Sequence, residues 1–316
     1  MLWIAEHLYM GVSDMKKFII NIFVFFAIVA IADFAVGKVF HFIQANISGG
    51  RTGAEYYACR ESNEDIIVMG SSRASHHYVP QVFSDSLHMS CFNAGQDGNG
   101  IILQYGRWKM ISERYTPKLI IYDIAADFDL YESDNARYVD RLKPYSNDDI
   151  VRDYISSIFP IEKLKLLSQM YCFNYKFLEV LSDIRLGRSV RENGFIPMSG
   201  TLRDEMVAKE TDYLNGRDDD VKQHYLRQLV REVRDNGGDV VFVISPYWKT
   251  VCYDFSSLRT IAKELDVKVY DYSDCQISDE QSLFKDSHHL NEEGATTFSG
   301  LLANRMKRDI DALVEP

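Results

Sequence analysis

The sequence predicts a three-layer α/β fold built on a mainly parallel five-stranded sheet, with a helical insertion and an N-terminal transmembrane helix. Three observations predict it. Five short apolar runs alternate with amphipathic helical patterns, which is the order of a parallel sheet covered by helices on both faces. Residues 131–220 interrupt this alternation with helical patterns alone, and residues 18–42 form a single long apolar stretch.

The apolar stretch near the amino terminus is long enough to cross a bilayer. Residues 18–36 alone match a hydrocarbon core of about 30 Å, and Lys16 and Lys17 precede them. By the positive-inside rule, residues 1–17 are cytoplasmic, 18–42 are the anchor, and the rest lies outside the cytoplasm, in the periplasm or at the cell surface. A cleaved signal peptide ending at Ala30-Ile31-Ala32 is an alternative, although the apolar pattern continues to Phe42. A buried core helix is the other alternative, and the flanking lysines disfavour it.

The remainder divides into a glycine-containing linker, residues 43–62, and one globular domain, residues 63–316. Buried strands are predicted from apolar runs, and they lie at residues 65–70, 89–93, 118–124, 239–244 and 267–272. Helices are predicted from three- and four-residue apolar spacing, and they lie at residues 101–115, 221–235, 255–265 and 295–313. Ligands of such sheets bind beyond the carboxyl ends of the strands.

The insertion at about 131–220 shows helical patterns at 161–171 and 177–184. It is far longer than the usual connection of about 2 to 6 residues in α/β units. Two interpretations stay open: a functional cap on the ligand side of the sheet, or a helical layer that only packs on the core.

Overall composition excludes one class of function. The 316 residues are 46% hydrophobic and carry a formal net charge of -11. A nucleic-acid-binding surface needs clustered Lys and Arg, so the acidic balance argues against nucleic acid as a partner. The five cysteines lack CxxC spacing and indicate neither a zinc knuckle nor a disulfide scaffold.

Two short segments carry residues for nucleophilic catalysis. Gly70-Ser71-Ser72-Arg73 follows the first strand, where the glycine permits a sharp turn that presents a serine. Asp286 and His289 are three residues apart, so a carboxylate can orient an imidazole that takes the proton of Ser72. Each segment alone also fits an ordinary structure: a tight turn after the strand, and a polar loop in which Asn291 caps the last helix.

A third segment, residues 93–98, follows the second strand and contains Gly95 and Gly98. Acyl transfer places negative charge on a carbonyl oxygen, which backbone N–H groups of Ser72 and Gly98 can stabilise. A glycine-containing turn held by Asn93 is the simpler interpretation.

In this order, the three segments resemble those of the SGNH/GDSL hydrolase superfamily, over residues 63–316. The resemblance implies a flavodoxin-like sheet, with Ser72 as nucleophile, Asp286 and His289 as its partners, and Gly98 in the oxyanion hole. The variant Gly-Ser-Ser resembles the first motif of membrane-anchored members of the superfamily. These include proteins of polysaccharide O-acetylation, such as alginate O-acetylation, and of teichoic-acid D-alanylation.

One motif of that superfamily is absent. Gly-x-Asn-Asp should follow the third strand, where this chain has Asp123-Ile124-Ala125-Ala126-Asp127. The side-chain donor to the oxyanion is therefore missing, and Asn99 is the predicted substitute. Losing one such donor costs about 2.7 to 4 kcal/mol in the transition state, which keeps a catalytically inactive relative in consideration.

Further residues are predicted around the site. Arg73 is expected to orient the loop or to contact an anionic sugar, with an ordinary salt bridge as the alternative. Tyr247 and Trp248 are expected to stack on a sugar ring, with packing under the insertion as the alternative. The pairs His76-His77 and His288-His289 offer imidazoles for zinc, but adjacent residues seldom point the same way, so neither a metal nor another cofactor is expected.

These patterns favour an extracytoplasmic serine esterase or O-acyltransferase that acts on an acylated cell-surface polysaccharide or glycolipid. The expected partners are that substrate, the membrane, and a multi-spanning membrane acyltransferase. The alternative is an inactive glycan-binding or scaffold protein of surface-polysaccharide assembly.

Overall fold

A computed structural model of the chain describes residues 2–314 except 48, 134, 187–191, 204–215 and 250. Five parallel strands form one sheet in the order β2-β1-β3-β4-β5. The strands are β1 (Ile66–Gly70), β2 (Cys91–Asn93), β3 (Leu119–Asp123), β4 (Asp239–Ile244) and β5 (Val269–Asp271). Each lies within the apolar run that predicts it, and the predicted fold class is confirmed.

The helices, in chain order, are α1 (Leu2–Asn46), α2 (Gly50–Tyr56), α3 (Ser72–His77), α4 (Pro80–Leu87), α5 (Ile101–Ser112), α6 (Ala126–Asp129), α7 (Asp149–Ile158), α8 (Glu162–Lys165), α9 (Gln169–Phe173), α10 (Phe177–Leu186), α11 (Asp220–Asp235), α12 (Ser256–Leu265) and α13 (Glu292–Val314). The short helices α3 and α4 between β1 and β2 were not predicted from the sequence.

The alternation of side chains along the strands produces three layers. Ile67 and Met69 point into a core shared with α5, α11 and α12. Ile66 and Val68 point into a second core on the opposite face, shared with α4 and α13. Because both faces of every inner strand are covered, the strands are apolar throughout rather than alternating.

The segment expected to be a linker is helical instead. Beyond α1 and α2, residues Tyr57–Glu61 form a π-helical turn, and Ala58 and Cys59 are buried in the core. The glycines in this segment serve close packing. Gly50 has φ +68°, and a Cβ there would lie 2.2 Å from the Asp183 carboxylate. The prediction mistook glycines required for packing for glycines of a flexible connection.

The insertion between β3 and α11 is helical in its described part. Its helices pack against α1, α2 and α5. An isolated bridge between Tyr131 and Asp218 joins its two ends, and it is the insertion's one β pairing among the described residues. The insertion therefore leaves and re-enters the domain at nearly the same place.

Helix α1, Leu2–Asn46, is the longest of the helices given above. By length and composition, its segment Asp14–Asn46 can cross a membrane, and none of its most apolar stretch is buried in the protein. A signal sequence would have the same properties. The segment is thus a membrane anchor or a signal sequence.

Candidate active site

The candidate site lies where the carboxyl ends of β1 and β3 meet. In the strand order 2-1-3-4-5, this is the point at which the chain reverses direction across the sheet, and a crevice forms there. Gly70 ends β1 with φ +139°, and a Cβ at this position would lie 2.6 Å from the carbonyl oxygen of Asp123. Only glycine fits this approach, and the turn it permits places Ser72 at the first position of α3.

Ser72, His289 and Asp286 form a continuous chain of hydrogen bonds. Ser72 Oγ lies 2.8 Å from His289 Nε2. On the other side of the ring, His289 Nδ1 lies 2.9 and 3.0 Å from the two carboxylate oxygens of Asp286. Because the carboxylate can only accept, Nδ1 carries the proton and Nε2 is free to accept from the serine hydroxyl.

The carboxylate of Asp286 is held ionised by its neighbours. Burial alone would raise its pKa, but hydrogen bonds from the His289 ring and from the backbone N–H groups of His288 and His289 lower the pKa of Asp286 to about 2. The two backbone bonds, 2.8 and 2.9 Å long, both reach Oδ1. The three-residue spacing therefore closes a turn that fixes both the carboxylate and the imidazole.

His77 ties this turn to the helix that carries Ser72. It is fully buried, its Nε2 accepts from the backbone N–H of Leu290 at 3.0 Å, and its Nδ1 lies 3.0 Å from Ser245 Oγ. Burial holds the pKa of His77 well below its usual value, so the ring is neutral. The sequence gives no signal that the two ring nitrogens of His77 find partners 168 and 213 residues away.

Arg73 forms the salt bridge that the sequence offered as one interpretation, and its contact with substrate stays a prediction. It is 3% exposed, and it donates to the carbonyl oxygens of Ser245 and Ile124. Its Nε lies 3.5 Å from Asp123 Oδ2, and its guanidinium lies 3.9 Å from the centre of the Tyr247 ring. Arg73 thus joins the ends of β1, β3 and β4, and it also forms part of the lining of the cavity described next.

Ser72 and Gly98 both line the same open cavity of about 290 Å³. Gly98 has φ +67°, a conformation that glycine adopts without strain. Among the described residues, neither backbone N–H group donates to another protein group. Two backbone donors are therefore free to meet an anionic oxygen beside Ser72.

Asn99 does not supply the missing side-chain donor in this geometry. Its amide nitrogen donates to the carbonyl oxygen of Asp97 at 2.9 Å, and it is not part of the cavity lining. The position after β3 is occupied by Ala126, which does line the cavity and has no donor beyond its backbone.

Further aromatic and polar side chains line the cavity, among them Phe128, Tyr247, Tyr253, Asp127 and His288. The Tyr253 hydroxyl donates to Asp127 at 3.1 Å. Burial lowers the pKa of His288, so its ring is neutral. Trp248, predicted to stack on substrate, is 6% exposed and packs edge-on against Phe284, away from the cavity. Its neighbour Tyr247 is the ring that reaches the site.

The histidine pairs do not converge on a metal. His76 donates from Nδ1 to the carbonyl oxygen of Ile196 at 2.7 Å, and its Nε2 lies 3.2 Å from Asp97. His77 and His289 are engaged as described above. Within the described residues, no group of three or more His, Cys, Asp or Glu side chains is arranged to hold a metal ion.

Comparisons with known proteins add little to this geometry. No family model matches the chain, and no curated protein matches it. A solved structure of a candidate lipolytic protein of the G-D-S-L family, from Desulfitobacterium hafniense DCB-2, is similar to 76% of this chain over 98% of its own length, with 9% identity and a TM-score of 0.36. A likeness of that size carries no argument about chemistry.

Proposed function

We propose that this chain is a serine esterase or O-acyltransferase of the SGNH/GDSL type. The observation that carries the proposal is the unbroken chain of hydrogen bonds from Ser72 through His289 to Asp286, beside two free backbone donors. A serine hydroxyl becomes nucleophilic when an oriented imidazole takes its proton. Those parts are arranged here around a cavity open to solvent.

The reaction has two steps. Ser72 Oγ bonds to the carbonyl carbon of an acyl ester while its proton moves to His289 Nε2, and the N–H groups of Ser72 and Gly98 bind the resulting oxyanion. The ester C–O bond then breaks, and His289 returns the proton to the leaving alcohol. Water or a sugar hydroxyl, deprotonated by His289, next attacks the acyl-serine and releases Ser72.

The substrate proposed is an acylated cell-surface polysaccharide or glycolipid. The rings of Tyr247 and Tyr253 in the cavity wall suit the face of a sugar, and Asp127 can accept from hydroxyl groups. Lys16 and Lys17 before the apolar helix favour a domain outside the cytoplasm, where such substrates lie. A multi-spanning membrane acyltransferase would be the natural acyl supplier.

A fluorophosphonate probe tests the proposal, because an activated serine displaces its fluoride and becomes phosphonylated, whereas an ordinary serine reacts far more slowly. The full chain should be labelled, and labelling should vanish in Ser72→Ala. Ser71→Ala is the control: it removes the neighbouring hydroxyl, which is buried and whose Oγ has no hydrogen-bond partner among the described residues. If the wild-type chain binds glycan but is never labelled, the inactive scaffold is the better description.

A further inference from the structure

The insertion exposes an unusual concentration of large apolar side chains. They occur on α8, α9, α10 and the turns between them: Ile161, Leu164, Leu167, Met170, Phe177, Leu178, Leu181 and Ile184. We call this set the apolar platform. Exposed apolar patches of this kind mark surfaces that contact protein or membrane.

On helix α10, which contributes half of the platform, these large apolar side chains point outwards. On α10, the residues at positions 177, 178, 181 and 184 share one face by helical spacing, and that face is exposed, with Leu178 77% accessible. The opposite face carries Asp183, whose carboxylate is buried and accepts from the Thr52 N–H at 2.9 Å. Just before the helix, Lys176 is buried and paired with Glu55. A helix on a soluble protein normally buries its apolar side.

Contacts with α1 fix where the platform lies along the apolar helix. The carboxylate of Asp33 accepts from Ser168 Oγ at 2.7 Å and from the backbone N–H groups of Gln169 and Met170 at 2.8 and 2.9 Å. A carboxylate within an apolar span is costly unless it is bonded in this way. Leu167 and Met170 flank these donors, so both lie at the level of Asp33.

The contact continues along the same side of α1 for two more turns. Gly37 lies so close to Gln169 that a Cβ would be 2.4 Å from its side chain. Phe40 then packs on Phe173 and Phe177, with ring centres 5.3 Å apart in both pairs. The platform therefore lies directly against α1, and its residue Phe177 packs on Phe40 of that helix.

Basic residues accompany the apolar ones at one end. Lys163 and Lys165 are exposed between Ile161, Leu164 and Leu167. Mixed apolar and basic faces are typical of helices that lie in the headgroup region of a bilayer.

We propose that α8, α9 and α10 dip into the bilayer leaflet at the carboxyl-terminal end of α1, with the apolar platform among the lipid chains and Lys163 and Lys165 at the headgroups. The occupant of this surface is lipid because the platform lies directly against a helix that itself can cross the membrane. The globular domain would then be held at a fixed distance from the membrane and at a fixed tilt, rather than being joined to it only by a flexible linker. This inference requires α1 to cross a membrane and is independent of the enzymatic proposal.

Spin labels on the full chain in lipid nanodiscs test this seating. In a Cys252→Ser, Cys275→Ser background, the three remaining cysteines are buried. One accessible cysteine at a time is then added by Leu178→Cys on the platform, Leu301→Cys on α13, or Phe25→Cys on α1. Leu301 is the matched control, an exposed leucine, 46% accessible, on a helix remote from α1. Each label's collision rates with oxygen, which concentrates in lipid, and with a water-soluble nickel chelate are compared.

The label at position 178 should collide more with oxygen than with the chelate, as the label at 25 does, and the label at 301 should show the reverse. Free access of the chelate to position 178 would mean that the platform lies in water, which overturns the proposal. Protection from both reagents would overturn it too, because a protein surface, either a second copy or a partner, would then cover the platform. Free access of the chelate to position 25 would show that α1 does not lie in the membrane, which also overturns the proposal.

Discussion

The Nε atom of Arg73 lies 3.5 Å from Oδ2 of Asp123, with both side chains buried directly beneath the serine that Arg73 follows. Asp123 also accepts from the Tyr78 hydroxyl at 2.7 Å and from the Ser245 N–H at 3.2 Å. Burial raises the pKa of the Asp123 carboxyl, and the charge of Arg73 opposes this rise. The pair thus locks the carboxyl ends of three strands under the proposed nucleophile.

Replacing Arg73 should therefore destabilise the fold. In Arg73→Met, the Asp123 carboxylate is left buried without its counter-charge, and the expected loss is about 3 to 5 kcal/mol of unfolding free energy. Denaturant unfolding of the full chain in detergent measures it. The control is Arg259→Met, which breaks a pair with Asp271 whose arginine is 62% exposed, and the expected loss there is under about 1 kcal/mol. Equal losses in the two variants would contradict the buried-pair account.

The Asp286 carboxylate should make the stability of the domain depend on pH in a defined window. Its pKa is about 2 in the folded chain and about 3.9 in an unfolded one. A lowered pKa stabilises above the unfolded value, and that stabilisation is lost as pH falls from about 4 towards 2.

Asp286→Asn removes this contribution. Since the side chain is 35% exposed, solvent screening reduces the effect to about 1 kcal/mol at neutral pH. The unfolding free energies of the two proteins should differ at pH 7 and converge near pH 2. A difference that is the same at both pH values would rule out this role for the carboxylate.

His77 should act as a positioning residue for the catalytic turn. In His77→Leu, the Leu290 N–H loses its acceptor, so the turn that carries His289 can move away from Ser72. A displacement of about 1 Å lowers rates by roughly 10²-fold, and we expect a loss of that order in the rate of fluorophosphonate labelling. His77→Gln, whose side-chain oxygen can accept from the same N–H, should recover part of the rate. If His77→Gln and His77→Leu lower the rate of labelling equally, the hydrogen bond from the Leu290 N–H is not what positions His289.

The sequence predicted much of this site because its residues belong to local motifs. Gly70-Ser71-Ser72 needs only a strand end, and Asp286 and His289 need only one turn of chain. Each segment alone left an ordinary turn or loop open, and only the segments together, with their resemblance to a known superfamily, indicated that Ser72 and His289 meet. The alternating apolar runs likewise predicted the sheet, since buried parallel strands are apolar on both faces.

What the sequence could not predict depends on side chains that pair although they are far apart in sequence. For Arg73, spacing could not decide between a contact with substrate and a salt bridge, because its partner Asp123 is 50 residues away in the chain. Helix α10 shows a related limit. Its period reveals an apolar face, but the burial of Lys176 and Asp183, which turns that face outwards, depends on Glu55 and Thr52.

A side-chain donor to the oxyanion can be introduced by substitution. If the proposed chemistry is right, this change should raise the rate of labelling, whereas substitution of Ser72 or His77 lowers it. Ala126 lies in the segment after β3, where the motif Gly-x-Asn-Asp was expected, and it lines the cavity together with Ser72 and Gly98. Ala126→Asn would add a side-chain N–H donor next to two existing backbone donors. Each such donor contributes about 10² to 10³ in rate when well placed, so we expect labelling to become at least roughly 10-fold faster.

Ala126→Leu is the control for that gain, since it adds similar bulk without a donor and should slow labelling by filling the cavity. Combining Ala126→Asn with Ser72→Ala should give no labelling, because the added amide has no nucleophile to assist. If Ala126→Asn folds normally and leaves the rate unchanged, the charge in the transition state does not develop beside Ala126, and the oxyanion would have to be placed elsewhere in the cavity.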